Sequence, residues 1–201
     1  MPLRRREQED FSKMTGEFAI QEYIQELIRS DPANIVKICE PPKGADMTVW
    51  QYEHLRQFVL ELNLLVVQLQ GICNAKTCPK MKATEEWLYL CACHPTTQEC
   101  PAIDYMIHTL DYAASLLTNQ KYFPSRTSIP PSSSKHMGSL VRRLYRLFAH
   151  TYYNHQEIFT EFENEMHLCE RFTEFASRFD MMPPKLFCIS LFNHRVKKSK
   201  E

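Results

Sequence analysis

Glycine is scarce in this chain: four in 201 residues, at positions 16, 44, 71 and 138, where an average protein would carry about 7%. Neither G-x-G-x-x-G nor G-x-x-x-x-G-K-S/T can be assembled from them, which excludes the backbone cradles that hold nucleotide phosphates. An excess of charge is missing too, since 24 Lys and Arg balance 24 Asp and Glu. Without a global basic field, neither nucleic acid nor an anionic membrane is an expected partner, and any anion site must be a local patch. No run of about 18 apolar residues occurs, so direct membrane insertion is not expected. The N-terminal MPLRRREQEDF carries charges where a secretion signal would need its apolar stretch. The expectation is a soluble, cytoplasmic protein whose eight cysteines are reduced thiols rather than disulfides.

What is present is enough for a core. Apolar residues make up 44% of the chain and aromatics 11%, and the length suits a single domain that needs no disulfide to fold. Because proline breaks helix interiors, the gaps between prolines show where long helices can lie. From Val49 to Gln70, Leu55, Phe58, Val59, Leu62, Leu65, Val66 and Leu69 recur every three or four residues, and Gly71 offers a stop. From Pro101, taken as a first helical position, Ile103, Met106, Ile107, Leu110, Ala114 and Leu117 predict a second helix ending near Asn119. Leu140, Leu144, Leu147, Phe148 and Thr151 share a third face, and Leu168, Phe172, Phe175, Ala176 and Phe179 mark a later helix from about Asn164. A shorter one runs over Phe18, Ile20, Tyr23, Ile24, Leu27 and Ile28 until Asp31-Pro32 ends it. Only EWLYLCAC, 86–93, reads as strand, and SIPPSSSKHM, 128–137, reads as an exposed loop. The pattern is all-α: a helical bundle with one irregular insertion at 72–100.

Two groups of residues could carry chemistry. Cys73 and Cys78 form C-x4-C directly after the long helix, and His150 and His155 form H-x4-H. Two thiolates and two imidazoles suit zinc and would leave no open position on it, which makes such a site structural. Residues five apart on a helix point about 140° away from each other, so both histidines can reach one ion only if the helix ends or bends between them, for which Asn154 is the candidate. The alternative is two buried thiols and two exposed imidazoles. Arg142, Arg143 and Arg146 lie opposite Leu140, Leu144 and Leu147, at spacings that make side chains neighbours. Arginine forks match phosphate oxygens, so an anion pocket and a solvated face offset by Glu161, Glu163 or Glu165 both account for them. No catalytic arrangement is found: Gly138-Ser139 lacks the second glycine of a nucleophile elbow, and the histidines carry no H-E-x-x-H. Cys39, Cys91, Cys93, Cys100, Cys169 and Cys188 read as small buried hydrophobes.

The words VWQYEHLRQFVLELN, C-x4-C, ECPAIDY, HTLD, KYFPSR, RRLYRLFAHTYYNH and LCERFTEF resemble the Mob family, most closely its phocein branch, over residues 17–182. The resemblance implies a Mob-type bundle with a four-helix core and one structural zinc ion on Cys73, Cys78, His150 and His155. It implies a non-catalytic adaptor whose phosphopeptide pocket falls on Arg142, Arg143 and Arg146. It further implies residence in striatin-type scaffolds with protein phosphatase 2A (STRIPAK-like complexes) and Ste20-like kinases, with membrane association only through partners. The family's kinase-activating branch presents an acidic surface near the start of the long helix, where this chain has Glu53 beside Arg56. Coactivation of NDR/LATS-type kinases is therefore the rival expectation, and a zinc hydrolase is a rival of another class. The expected organisation is a flexible tail at 1–15, a Mob/phocein domain at 16–195 and a basic tail at 196–201, where KLFCISLFNHRVKKSKE departs from the family pattern.

Overall fold

The structure, a computed structural model, describes residues 11–197; the expected tail MPLRRREQED, and all of the expected tail at 196–201 except Val196 and Lys197, fall outside the described residues. Phe11–Lys13, placed with the tail by sequence, form a 3-10 turn whose Phe11 ring lies 5.3 Å from that of Tyr23. The first helix, α1, spans Ala19–Ser30 and stops at Asp31, ahead of Pro32. It is followed by a short helix that periodicity did not reveal, α2 at Ile35–Cys39, capped by the Asn34 side chain accepting from Lys37 N–H.

The pole of the bundle is α3, Met47–Leu69. Its start is set by Asp46, whose Oδ1 accepts from the N–H groups of Thr48 and Val49, each at 2.9 Å. All seven apolar positions predicted for it are buried. Gly71 is not its stop, since it does not take the left-handed conformation. Instead the Leu69 carbonyl accepts from both Ile72 N–H and Cys73 N–H, at 3.0 and 2.8 Å, and turns the chain back under the helix end.

Helix α4 spans Ala102–Leu117, with Pro101 as its cap rather than its first residue. Between α3 and α4, residues 70–101 contain no helix. The strand expected at EWLYLCAC is absent: only isolated antiparallel bridges form, Lys82 with Leu88 and Cys91 with Gln98. The expected exposed loop at 128–137 is also corrected. A 3-10 turn at Pro131–Ser133 leads directly into α5, Ser134–Asn154, and Ser133 and Met137 are buried. Proline at the first position of the turn starts the helix there instead of delaying it.

The helix expected from about Asn164 begins at Leu168 instead: α7 spans Leu168–Arg178, and a break at His167, with φ 48°, separates it from a preceding helix, α6 at Gln156–Met166. The break lets Glu163 cap α7, its carboxylate accepting from the N–H groups of Cys169 and Glu170 at 2.8 Å each. Burial pushes the Glu163 carboxyl up to about 7, against the pull of those two donors. Beyond α7, Phe187, Ile189 and Phe192 of the divergent C-terminal stretch are buried, and Ile189 N–H donates to Tyr145 Oη at 3.1 Å. Among the described residues no helix is long and apolar enough to cross a membrane.

Helix α3 packs against α1, α4, α5, α6 and α7, and the rings of Phe58, Phe148, Phe172 and Phe175 meet along it. Inside this apolar centre Arg171 of α7 is fully buried and pairs with Glu61 of α3, its guanidinium 5.6 Å from the Phe58 ring. Removing one partner leaves a buried uncompensated charge. Arg171→Ala is therefore expected to cost about 3–5 kcal/mol in urea unfolding, and the double exchange Arg171→Met with Glu61→Leu to recover most of that loss.

His54 lies in the same core, edge-on to Trp50 with ring centroids 4.7 Å apart, and its Nε2 has no hydrogen-bond partner. Burial holds its pKa down to about 3 from the ordinary 6.5. The unfolded chain takes up this proton below pH 6.5 and the folded one does not, so stability is complete above that pH and falls as pH drops towards 3. Between pH 7 and 5, His54→Phe is expected to lose about 2 kcal/mol less stability than the parent, read from urea midpoints at the two pH values.

Candidate metal centre

The four residues of the two spaced pairs come together. Cys73 sits where the chain doubles back on Leu69, and Cys78 follows a loop shaped by its own side chains. Asn74 Oδ1 accepts from the N–H groups of Lys76 and Thr77, and Thr77 Oγ1 donates to the Ile72 carbonyl at 2.6 Å. On the other side, His150 is buried in the last turns of α5. The helix ends at Asn154, and His155, with φ −141° and ψ 54°, lies outside it. The break that the five-residue spacing demands is thus present where Asn154 offered it. Asn154 Nδ2 fixes the end by donating to the carbonyls of Ala83 and His150, each at 3.0 Å.

Cys73 Sγ lies 3.6 Å from His150 Nε2, and Cys78 Sγ lies 3.4 Å from His155 Nε2. All four donor atoms are within 4.8 Å of one another. A tetrahedral zinc ion, with bonds near 2.3 Å to sulfur and 2.0–2.1 Å to nitrogen, sets its donors about 3.3–3.8 Å apart, so the donor set fits that ion. The second nitrogen of His150, Nδ1, is 2.7 Å from the Lys82 carbonyl, a contact that fixes the ring and leaves Nε2 to the centre. With protein groups alone, burial and the neighbouring Cys78 push the Cys73 thiol up to about 12, while burial lowers His150 to about 4 and lowers His155 as well. A cation at the centre reverses the cost for the thiols by stabilising thiolate. A cleft opens beside Cys78 and His150; its one carboxylate, Glu85, is paired with Lys82.

Further along α5, Arg142 is exposed, whereas Arg143 and Arg146 are half-buried rather than directed freely into solvent. Arg143 lies 4.7 Å from the Tyr112 ring of α4. Arg146 lies 4.8 Å from the Tyr89 ring and donates to Tyr105 Oη at 2.7 Å. Among the described residues no carboxylate forms an ion pair with any of the three. Glu163, one of the acids considered as an offset, is committed to α7.

Sequence reasoning missed a second gathering of the same chemistry. Cys91, His94, Cys100 and His108 also bring four donor atoms within 4.8 Å, although Cys91 and Cys100 read as buried hydrophobes. The available signal was the spacing C-x2-H-x5-C-x7-H, which runs through the words CACH, ECPAIDY and HTLD. Of the remaining cysteines, Cys39 and Cys169 are buried as expected, but Cys93 is exposed and Cys188 half-buried.

An all-α bundle whose irregular insertion returns to a helix end through two cysteines and two histidines defines a class of Cys/His-bearing helical domains. The Mob1/phocein family model matches residues 26–188, and the chain belongs to that family. It is 52% identical over 174 residues to MOB kinase activator-like 4 of Drosophila melanogaster, covering 87% of this chain and 78% of that protein. It is 51% identical over 172 residues to the MOB-like protein phocein of Caenorhabditis elegans, covering 86% and 77%. With the maintenance of ploidy protein mob1 of Schizosaccharomyces pombe it shares 26% over 169 residues, 81% of this chain and 79% of that one. This ordering supports the phocein branch.

Proposed function

We propose that the chain is a non-catalytic, zinc-stabilised adaptor that joins a striatin/protein phosphatase 2A scaffold to Ste20-like kinases in the cytoplasm, by binding a phosphorylated kinase linker. The observation that carries this reading is the arginine triad on α5, where three cations meet no carboxylate among the described residues and two are held on tyrosine rings. A phosphate brings about −1.5 to −2 charges and three acceptor oxygens to such a patch, and an unphosphorylated hydroxyl brings neither. The name of the Drosophila relative, MOB kinase activator-like 4, speaks of a kinase, in keeping with a kinase partner. Coactivation of NDR/LATS-type kinases is the second reading. Against it stands Glu53 near the start of α3, which is buried and paired with Arg126 and Arg56 and so offers no acidic surface.

Cys73, Cys78, His150 and His155 would hold one structural zinc ion, which supplies a cross-link between the turn after α3 and the end of α5. Four protein donors leave no position for an attacking water, which weighs against a zinc hydrolase. Cys78→Ser is expected to lose the ion held there, as read by elemental analysis, and to melt far below the parent or aggregate, because structural zinc contributes on the order of 10 kcal/mol. Unchanged zinc content together with an unchanged melting transition overturns this assignment.

The pocket is tested by titration calorimetry with paired phosphorylated and unphosphorylated linker peptides from a Ste20-like kinase. The phosphopeptide is expected to bind more tightly and with strong salt dependence. Arg143→Ala should cost about 1.5–3 kcal/mol of that affinity with little change in melting temperature. Equal affinity for both peptides, or undiminished binding by the triple alanine variant of Arg142, Arg143 and Arg146, returns the patch to a solvated face.

A further inference from the structure

Helix α5 carries cations beyond the arginine triad. Lys135 and His136, in its first turn, stand seven residues ahead of Arg142 and Arg143. A seven-residue step on a helix returns to nearly the same face, about 10 Å further along the axis. The two pairs therefore form two parallel lines, Lys135 to Arg142 and His136 to Arg143. The connection between α4 and α5 completes the upstream end of this surface. Lys121 Nζ lies 5.6 Å from the centre of the Tyr122 ring, and the His136 ring lies 4.3 Å from the same centre.

Tyr122 is a fixed platform. Its N–H donates to the Asn119 carbonyl at 3.0 Å, and its own carbonyl accepts from the Ser133 hydroxyl just ahead of α5. The next residue, Phe123, is buried against Tyr52 with ring centroids 5.0 Å apart. Lys121 and Lys135 are exposed and His136 is half-buried. Among the described residues no carboxylate forms an ion pair with any of the three. The arrangement repeats that of the triad, where the Tyr112 ring backs Arg143 as Tyr122 backs Lys121 and His136. Unpaired cations gathered on one face repel one another, and a bound anion relieves that repulsion.

On the reading of the triad as a phosphate pocket, we propose that Lys121, Lys135 and His136 form a second anion subsite, and that the phosphopeptide held by the triad carries a second anionic group about three residues from its phosphorylated residue. An extended peptide advances about 3.3 Å per residue, so three residues span the roughly 10 Å between the two clusters. Two ammonium groups and an imidazole suit a carboxylate or a second phosphate alike. Recognition of two charges at a fixed separation supplies a selectivity among phosphopeptides that a single phosphate pocket lacks.

The test is titration calorimetry of the full-length chain with phosphothreonine peptides of equal length. One is flanked by alanines, two carry Asp three residues before or three residues after the phosphothreonine, and two carry a second phosphothreonine in place of that Asp. Because a bound peptide runs in one direction, one of the two Asp positions is expected to bind about three- to fivefold tighter than the alanine-flanked peptide, the scale of an exposed charge pair. A second phosphothreonine at that position should bind more tightly still, since it brings about −1.5 to −2 charges. In the double variant Lys121→Ala with Lys135→Ala the gain should vanish, while the affinity for the alanine-flanked phosphopeptide at physiological ionic strength and the melting temperature stay close to those of the parent. A gain from the second phosphate without one from Asp supports the subsite and narrows it to phosphate. No gain at either position, or a gain that survives the double variant, overturns the subsite and leaves the triad intact. An alanine-flanked phosphopeptide that binds no better than its unphosphorylated form overturns the phosphate reading of the triad, and the subsite with it.

Discussion

Residues 70–101 run without a helix through the middle of an otherwise helical protein, and the rest of the molecule depends on how that segment is fastened. Ordering a residue costs about 1–2 kcal/mol of backbone entropy, and a loop of this length without regular structure is uncommon in compact domains. The segment cannot offset that cost through a ladder of its own, since it forms only two isolated bridges. What it has are anchors to other elements: Lys82 and Ala83 carbonyls to α5 through His150 and Asn154, the Cys78 carbonyl to Ala102 N–H at the start of α4, and the two Cys/His quartets. One quartet reaches the end of α5 and the other the second turn of α4. The segment is thus tied to two helices that also pack against each other and against α3.

Helix α5 links this anchoring to the proposed recognition surface. His150 and its C-terminal neighbour His155 stand at one end, and Arg142, Arg143 and Arg146 lie one to three turns before them on the same rigid rod. The groups that hold two of the arginines come from different sources: the Tyr112 ring and the Tyr105 hydroxyl from α4, and the Tyr89 ring from the irregular segment. A guanidinium stacked on a ring keeps its charge and its outward donors while losing rotamer freedom. Such arginines are preorganised, and preorganisation lowers the ordering cost that binding would otherwise meet.

The parts legible in the sequence were those governed by a fixed period. The burial of Leu55, Phe58, Val59, Leu62, Leu65, Val66 and Leu69 follows from 3.6 residues per turn, and so does the need for a break between His150 and His155. Where local chemistry and tertiary contact compete, the reading failed. Gly71 had the right identity for a stop, but the Leu69 carbonyl had already found two donors. Pro131 and the serines after it look like loop, yet they start a helix because Met137 and Leu140 need burial. His167 ends one helix and starts another in a conformation that glycine adopts more easily, for the sake of the Glu163 cap. The Cys91 quartet was invisible for another reason: its donors meet through a chain reversal whose turn has no strand pattern around it.

The polar residues of the core show the same trade between local cost and fixed geometry. Arg171 and Glu61 pair where neither is solvated, and Arg171 Nε and Nη1, Trp50 Nε1 and His54 Nε2 all lack partners. An apolar replacement of matching shape would cost less in desolvation. What the pair supplies is registry, because sliding α7 along α3 by one turn would strand both charges in an aromatic core. The Arg171 carbonyl also receives the Cys39 thiol of α2 at 3.6 Å, so the same residue locates α2 against α7. With α7 fixed in this way, Tyr145 of α5 can stack on Phe172 and meet Ile189 N–H from the C-terminal stretch. The helix that carries the arginines is then held from the core side, through Tyr145, and from the insertion side, through His150 and Asn154.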